Sequence, residues 1–391
     1  MPTASVRSYI LRGIDAVPVT IEAELIRRLP CVVFVGVPAA YSRELGDIIR
    51  SAILAAGYDF PRSRVVVSVS PADIRGDVSG LALPVAVAIL KASGQVPATF
   101  GDGAAIAGGL SLAGDIRPVS RGALAYGATA RREGLSLWTG PDDGGRAVYT
   151  GATVAPARTL RDLCDGVTAP LPTPETSPPP SLALADIRGQ DDALRALADA
   201  AATRRPVILI GSPGCGKTMI AARAGLLLPP MSEGEALETA TIRDAAGLRG
   251  DTDPRTGPRP FRAPHHTIST AGMIGGSACR PGEVNLAHNG VLFLDELPEF
   301  PRAVLDTLRA AVDGGQTRYG HGADVARIPA RPWIIAAANP CPCGNFGHPA
   351  RPCFCSPESR ERYAARLEHP MFRDAVRINL APVSAATLLG T

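Results

Sequence analysis

GSPGCGKT, residues 211–218, decides how the second half of the chain is read. Gly211, Ser212, Pro213, Gly214, Cys215, Gly216, Lys217 and Thr218 satisfy the spacing G-x-x-x-x-G-K-[ST]. Glycines at those places let successive backbone N–H groups turn around an anion. Lys217 is spaced to reach the outer phosphates of a nucleotide such as ATP, and Thr218 to offer a hydroxyl to Mg²⁺. The flanks agree with this reading. The apolar run PVILI (206–210) predicts a short strand before the loop, and a helical pattern opens at Lys217. The N-terminus of that helix adds a dipole that favours phosphate. Cys215 is read as a tolerated small residue, not a nucleophile.

Working outward, two more apolar runs have strand length. GVLFL (290–294) ends in the acidic pair Asp295 and Glu296, and WIIAAA (333–338) ends in Asn339-Pro340. Asp295 is placed to hold Mg²⁺ through water, and Glu296 to orient or deprotonate an attacking water. Fully apolar strands joined by helical crossovers predict a parallel sheet covered on both faces. Close behind Asn339 comes C-x-C-x₉-C-x-C: Cys341, Cys343, Cys353 and Cys355. Four thiols in so short a stretch can satisfy tetrahedral Zn²⁺. Two readings stand: a zinc-stapled loop, or four free thiols on an irregular one. His348, His265 and His266 are alternative ligands, with polar loop structure as the plainer reading of the histidine pair.

Upstream, TAPLPTPETSPPPS (168–181) holds six prolines in 14 residues and predicts an extended linker. The chain is therefore divided into a domain over 1–167, a Pro-rich linker over 168–183, and a second domain over 184–391. In the first, CVVFVGV (31–37) and RVVVSVS (64–70) predict strands, and 41–56, 82–90 and 121–133 predict helices. Residues 105–116 predict a hairpin or paired strands. The sum is an α+β domain of about two layers, without a phosphate loop or metal cluster.

Composition narrows the function classes. The chain of 391 residues is 46% hydrophobic and 20% charged, which excludes global disorder. No run approaches the roughly 20 apolar residues of a membrane span. The N-terminus lacks the apolar core of a secretory signal, so the expectation is a cytoplasmic protein without a membrane partner. Eight cysteines in that setting argue for thiols or metal rather than disulfides. A net charge of +3 is too small to decide for or against nucleic acid. Of the 40 basic residues only Lys91 and Lys217 are lysine. Where arginine has displaced nearly every lysine, chemistry can explain the survival of Lys217.

Longer stretches carry a family resemblance. RPFRAPHHTIST (259–270), RPGEVNLAHNGVLFLDELPEF (280–300) and NPCPCG (339–344) are similar to magnesium-chelatase-like AAA+ ATPases of the ComM/YifB competence type. VRSYILRGIDAVPVTIE (6–22), VSVSPADI (67–74) and GGLSLAGDIRPV (108–119) match the same family. The resemblance implies an α/β AAA+ core with ATP and Mg²⁺, assembled as a hexameric ring. It also implies a first domain like the proteolytic domain of Lon (S5-like), and ATP-driven DNA branch migration during natural transformation. Asn339 then takes the part of the residue that senses the γ-phosphate.

Further expectations hang on the resemblance. A Lon-type Ser–Lys dyad needs a lysine on the helix after 114–119, and SRGALAYGATARR (120–132) has none. Ser79 is left without a base, so the fold is read as Lon-like and the protease as absent. GGQTRYGHGADVARIPAR (314–331) resembles a hairpin that projects into the ring pore. Arg318, Tyr319, His321 and Arg327 could then meet a DNA backbone, and the plainer reading is a solvated hairpin. Arg373 is the nearest candidate for an arginine finger, with Arg377 the alternative. Members of the family continue into a helical lid, which this chain is expected to lack. Two rival readings remain: a chelatase-type motor that remodels a protein partner, and a non-hydrolysing ATP-binding module.

Overall fold

The computed structural model describes residues 3–71, 76–173, 183–250, 253–276, 279–320 and 325–383. The chain divides into two units. One is Met1–Thr176 with Ala240–Arg255; the other is Ser177–Thr239 with Thr256–Thr391. Most of the Pro-rich stretch, and His321, lie outside the described residues.

The first unit opens with a long hairpin, β1 (Thr3–Arg12) and β2 (Asp15–Ile26), in which Arg12 and Asp15 are the last pair. It continues through β3 (Cys31–Val35), α1 (Ala39–Ala55), β4 (Arg64–Ser70), α2 (Ala82–Ala92) and β5 (Ala104–Ile106). Then come a small ribbon of β6 (Gly109–Leu110) with β7 (Ile116–Arg117), α3 (Ala123–Glu133), β8 (Ser136–Thr139), α4 (Pro141–Ala147), β9 (Val154–Pro156) and α5 (Leu160–Asp165). Seven strands form one mixed sheet in the order β3-β4-β2-β1-β5-β8-β9. The paired strands expected over 105–116 fall in two places: β5 joins this sheet, and the ribbon stands apart.

Two layers prove too few. Alternation along β1 sends Ile10 into a core with Ile49 and Ile53 of α1 and Leu83 and Leu90 of α2. Tyr9 and Leu11 enter a second core with Ala123 and Tyr126 of α3. Both faces of the middle strands are therefore covered, which side-chain alternation requires of strands buried on two sides. The single lysine of α2, Lys91, runs its stem along this core and donates from Nζ to the carbonyl of Phe100 at 2.8 Å.

The second unit is built on a parallel sheet. Its elements are α6 (Asp191–Thr203), β10 (Val207–Gly211), α7 (Lys217–Arg223), the first half of α8 (Glu233–Ala245, which passes into the first unit at Ala240), β11 (Phe261–Arg262), α9 (Thr270–Ile274) and α10 (Glu283–Leu286). There follow β12 (Val291–Leu294), α11 (Arg302–Asp313), the ribbon β13 (Gln316–Tyr319) with β14 (Ala326–Pro329), β15 (Trp333–Ala338), α12 (Pro357–Ala365) and β16 (Val376–Leu380). Five strands run parallel in the order β11-β12-β15-β10-β16. Odd and even residues part cleanly. Leu209, Phe293, Ile335 and Ala337 face one core, and Ile208, Leu292, Leu294, Ile334 and Ala336 face the other. The expectation of a parallel sheet covered on both faces agrees with this arrangement. Parallel strands put their C-terminal ends, and the loops that leave them, on one edge.

One segment departs from the division read off the sequence. Residues 240–255 were assigned to the second domain, yet they pack within the first unit. Asp244, at the end of α8, is 0% exposed and accepts from the Leu124 amide at the start of α3 at 3.0 Å. The guanidinium of Arg249 lies 3.4 Å from Asp244 and 3.2 Å from Asp143, and it also donates to the Val119 carbonyl. Buried carboxylates need such partners, and the pairing holds the segment in place.

Candidate nucleotide-binding site and cysteine cluster

The loop after β10 is shaped by its glycines. Gly214 and Gly216 have φ of +84° and +96°, the left-handed region that favours glycine. A Cβ on Gly214 would meet nothing within 4 Å, so the crest of the loop is open. A Cβ on Gly211 would lie 2.5 Å from Cys215 Sγ, which forces glycine at the base. Cys215 is buried there as a small packing residue.

Lys217 begins α7. Its Nζ donates to the carbonyls of Gly211 at 2.6 Å and Ser212 at 3.1 Å, and to Asn339 Oδ1 at 3.1 Å. Residues 122 apart in sequence thus meet at the C-terminal edge of the sheet. Thr218 Oγ1 donates to Asp295 Oδ2 at 3.1 Å. The two groups read as Mg²⁺ ligands therefore stand side by side. Hydroxyl and carboxylate oxygens suit a hard, octahedral ion that keeps most of its waters. The open crest, the ammonium and this oxygen pair fit a nucleoside triphosphate with Mg²⁺. When bound, the ion would offset phosphate charge as the terminal bond breaks.

Glu296 adopts φ 55° and ψ 49°, an uncommon backbone for a side chain with a Cβ. Its amide donates to Asp295 Oδ1 at 3.0 Å. Sequence reasoning missed two neighbours. The backbone amide of Asn339 donates to the hydroxyl of Tyr363 at 3.3 Å, and His266 Nδ1 lies 3.1 Å from Glu296 Oε2. From the sequence, the histidine pair reads only as loop structure or as metal ligands. Nothing local in RAPHH signals a partner that arrives from the next strand.

The cysteine loop follows Asn339 directly. Sγ atoms of Cys341 and Cys343 are 3.4 Å apart, Cys341 and Cys353 3.7 Å, and Cys343 and Cys353 3.6 Å. With Cys355, all four lie within 4.8 Å of one another. Tetrahedral Zn²⁺ with Zn–S near 2.3 Å needs sulfur–sulfur edges of about 3.8 Å, so the donor set fits. No histidine joins this cluster among the described residues, which leaves His348, His265 and His266 out of it. Backbone N–H groups and the Cys341 thiol pull the Cys343 thiol down. Cys353 and Cys355 each accept from a backbone N–H, yet burial and hydrogen bonds to the neighbouring thiols push them up, so the cluster favours one thiolate shared with protonated neighbours. The loop also reaches the phosphate loop: a Cβ on Gly344, whose φ is +78°, would lie 2.6 Å from Pro213 Cδ.

The ribbon β13–β14 places Arg318 directly opposite Arg327, both exposed. Tyr319 is a correction. It is 6% exposed, and its hydroxyl meets Thr317 Oγ1, Asn285 Oδ1 and the Ile274 carbonyl. Burial pushes its pKa up to about 12. Strand alternation decides this, because a residue next to an outward arginine points inward. Arg373 is exposed just after a short helical turn, and Arg377 pairs with Glu368 at 2.7 Å.

A glycine-rich loop between strand and helix, with an acidic pair at the end of β12, one strand removed in the same parallel sheet, defines a P-loop nucleotide-binding protein. The family model described as "Magnesium chelatase, subunit ChlI" matches residues 183–387, and "Subunit ChlI of Mg-chelatase" matches 21–141. YifB of Salmonella typhimurium is 38% identical over 390 residues, 97% of this chain and 76% of that protein. YifB of Escherichia coli is 36% identical over 389 residues, with the same two shares. Competence protein ComM of Haemophilus influenzae is 35% identical over 399 residues, 98% of this chain and 77% of that one. The chain belongs to the ComM/YifB-type magnesium-chelatase-like AAA+ family.

Proposed function

We propose that this chain hydrolyses ATP and uses the cycle to move DNA, as a member of a homo-oligomeric, hexameric ring. The observation that carries the reading is the convergence of Lys217, Thr218, Asp295 and Asn339 at one sheet edge. In this reading the amides of 211–218 and Lys217 bind the phosphates. Thr218 and Asp295 hold Mg²⁺, Glu296 orients the attacking water, and Asn339 reads the γ-phosphate. Arg373 is the candidate finger for a neighbouring subunit's nucleotide.

The DNA part rests on Arg318 and Arg327. Like charges directly opposite on a ribbon oppose each other unless an anion offsets them, and a phosphate backbone is such an anion. The relative ComM is named a competence protein, so branched or single-stranded DNA taken up in transformation is the proposed substrate. The cysteine cluster is proposed to bind Zn²⁺.

The first unit is proposed to be Lon-like and non-proteolytic, acting in the cytoplasm with the rest. Ser79 Oγ meets Ser120 Oγ at 3.1 Å, and Ser120 donates to Asp77 at 2.7 Å. Hydrogen bonds from Ser120, Ser79 and Arg121 hold Asp77 below the usual carboxylate range, despite burial, so it is a poor base.

The test is steady-state ATP hydrolysis by the purified chain, with and without single-stranded and forked DNA. DNA-stimulated turnover that vanishes in Lys217→Ala and Glu296→Gln is expected. Replacing Arg318 and Arg327 by Ala should remove the stimulation and leave basal turnover. Turnover that ignores DNA would shift the reading to remodelling of a protein partner. Nucleotide binding without turnover would sink the motor.

A further inference from the structure

Four sulfurs gathered within 4.8 Å of one another are also centres that an oxidant can join in pairs. They differ in access. Cys341 is 0% exposed, whereas Cys343 is open to solvent, so a dissolved oxidant meets Cys343 first. Two partners stand near its sulfur, Cys341 at 3.4 Å and Cys353 at 3.6 Å. Only Pro342 separates Cys341 from Cys343, and its ring fixes φ. So short a link leaves little freedom for the near-right-angled dihedral that a disulfide demands. The Cys341 sulfur also accepts from the Phe346 amide at 3.3 Å, which holds it in place. Cys353 comes from the far side of the loop, where the longer chain between the pair can adjust.

Gly344 ties this pair to the nucleotide site. It follows Cys343 directly, is buried, and donates its amide to the Cys341 carbonyl at 2.9 Å. A Cβ placed on it would lie 2.6 Å from Pro213 Cδ and 3.8 Å from Asn339 Cγ. Its backbone therefore packs against the phosphate loop on one side and the residue at the tip of β15 on the other. Asn339 in turn accepts from Lys217 Nζ at 3.1 Å. A disulfide brings its sulfurs to about 2 Å, so joining Cys343 to Cys353 draws them together by about 1.5 Å. Close-packed backbone has no room to absorb such a shift, and Gly344 is the residue next to it.

We propose that the cysteine loop is a redox switch: hydrogen peroxide joins Cys343 to Cys353, and the contraction weakens nucleotide binding through Gly344. The proposal rests on the ATP-binding reading above. The Cys343 sulfur attacks one peroxide oxygen, the O–O bond breaks, and the thiol proton leaves with the other oxygen as water. The Cys353 sulfur then attacks the sulfenic sulfur so formed. The S–O bond breaks, and the hydroxyl takes the Cys353 proton and leaves as a second water. Two thiols give up two electrons and two protons, and one peroxide becomes two waters. A zinc ion held by the loop would lose two of its four ligands and be released.

The experiment treats the full chain with hydrogen peroxide and then with dithiothreitol and zinc. It follows disulfides by peptide mass mapping, fluorescent-nucleotide affinity, and zinc release to a chromogenic chelator. Peroxide should give the Cys343–Cys353 disulfide and weaken affinity about fivefold or more, and the reductant should restore it. Cys353→Ser cannot form that bond, so peroxide should leave its affinity within about twofold of its own reduced value. Cys215, in the phosphate loop itself, is the rival target. A loss in Cys353→Ser equal to that of the unaltered chain would assign the effect to Cys215 and overturn the proposal. So would Cys343 and Cys353 that stay reduced, or a mapped disulfide that leaves affinity unchanged. Stripping zinc from the reduced chain with a zinc-selective chelator separates the ion from the bond: an equal loss there makes the ion the cause and also overturns the switch. A chain that holds no zinc, yet forms the disulfide and loses affinity, keeps the switch and refutes the zinc reading. A reduced chain that binds no nucleotide refutes the ATP reading, and the switch falls with it.

Discussion

At the scale of single residues, the function proposed above has Lys217 and Asn339 divide the labour of one phosphate group. The ammonium touches two loop carbonyls and the Asn339 amide oxygen, so it stands between the loop and the tip of β15. Lys217→Ala removes the only full positive charge of residues 211–218 and should weaken ATP binding at least tenfold in a fluorescent-nucleotide titration. Asn339→Ala leaves that charge in place. It should keep ATP affinity within about threefold and lower kcat by tenfold or more, since a sensing contact matters most as the bond breaks. Equal losses of affinity in both variants would refute this split. The places of Lys217, Thr218, Asp295 and Glu296 were legible from strand, loop and motif spacing, whereas Asn339 was singled out through the family resemblance. His266 was not, because its partner belongs to another strand. Tyr319 was misread although the sign was present: in QTRY, Arg318 and Tyr319 must face opposite sides.

At the scale of elements, strands were read more surely than their company. Runs such as 64–70 and 333–338 coincide with β4 and β15, because β-branched and fully apolar segments carry their burial in their composition. The number of layers was not readable, since an apolar strand residue does not say which side covers it. The cysteine loop is the element with most left to test. It runs from Asn339 to the start of α12 and leans on Pro213 through Gly344. Purified without chelator, the chain should contain about one zinc per molecule by elemental analysis. Cys353→Ser should lose that zinc and slow hydrolysis, while β10 and α7 remain folded. Gly344→Ala should keep the zinc and weaken ATP binding several-fold, because its Cβ would push on Pro213. Retention of zinc in Cys353→Ser with unaltered turnover would make the cluster an accident of packing.

At the scale of the whole molecule, charge is distributed unevenly between the two units. All six histidines lie in the second: His265, His266, His288, His321, His348 and His369. The first unit therefore has no imidazole to titrate between pH 5 and 7. What it has is Asp143, whose pKa burial raises to about 6 from 3.8, against the opposing pull of Arg249. A carboxyl raised on folding contributes stability that is complete below its unfolded value and is lost as pH rises through its folded one. Asp143 should accordingly make the first unit lose stability steadily as pH rises from about 4 to 7, on the order of 2 kcal/mol over that window. Burial raises Asp15 as well, which adds to the same slope. Asp77 is lowered instead, so its contribution fades only as pH falls further. Asp143→Asn keeps an oxygen to accept from the Val119 amide, 2.7 Å away in the native pair, and cannot ionise. Urea unfolding followed by Trp138 fluorescence in a Trp333→Phe background reports the first unit by itself, since these are the two tryptophans. The unaltered carboxyl should give a lower midpoint at pH 7 than at pH 5, and Asp143→Asn should flatten most of that difference. An unchanged slope in Asp143→Asn would mean that Arg249 keeps the carboxylate charged at both values. The segment over 240–255 would then be held by an ordinary ion pair, indifferent to pH in this range.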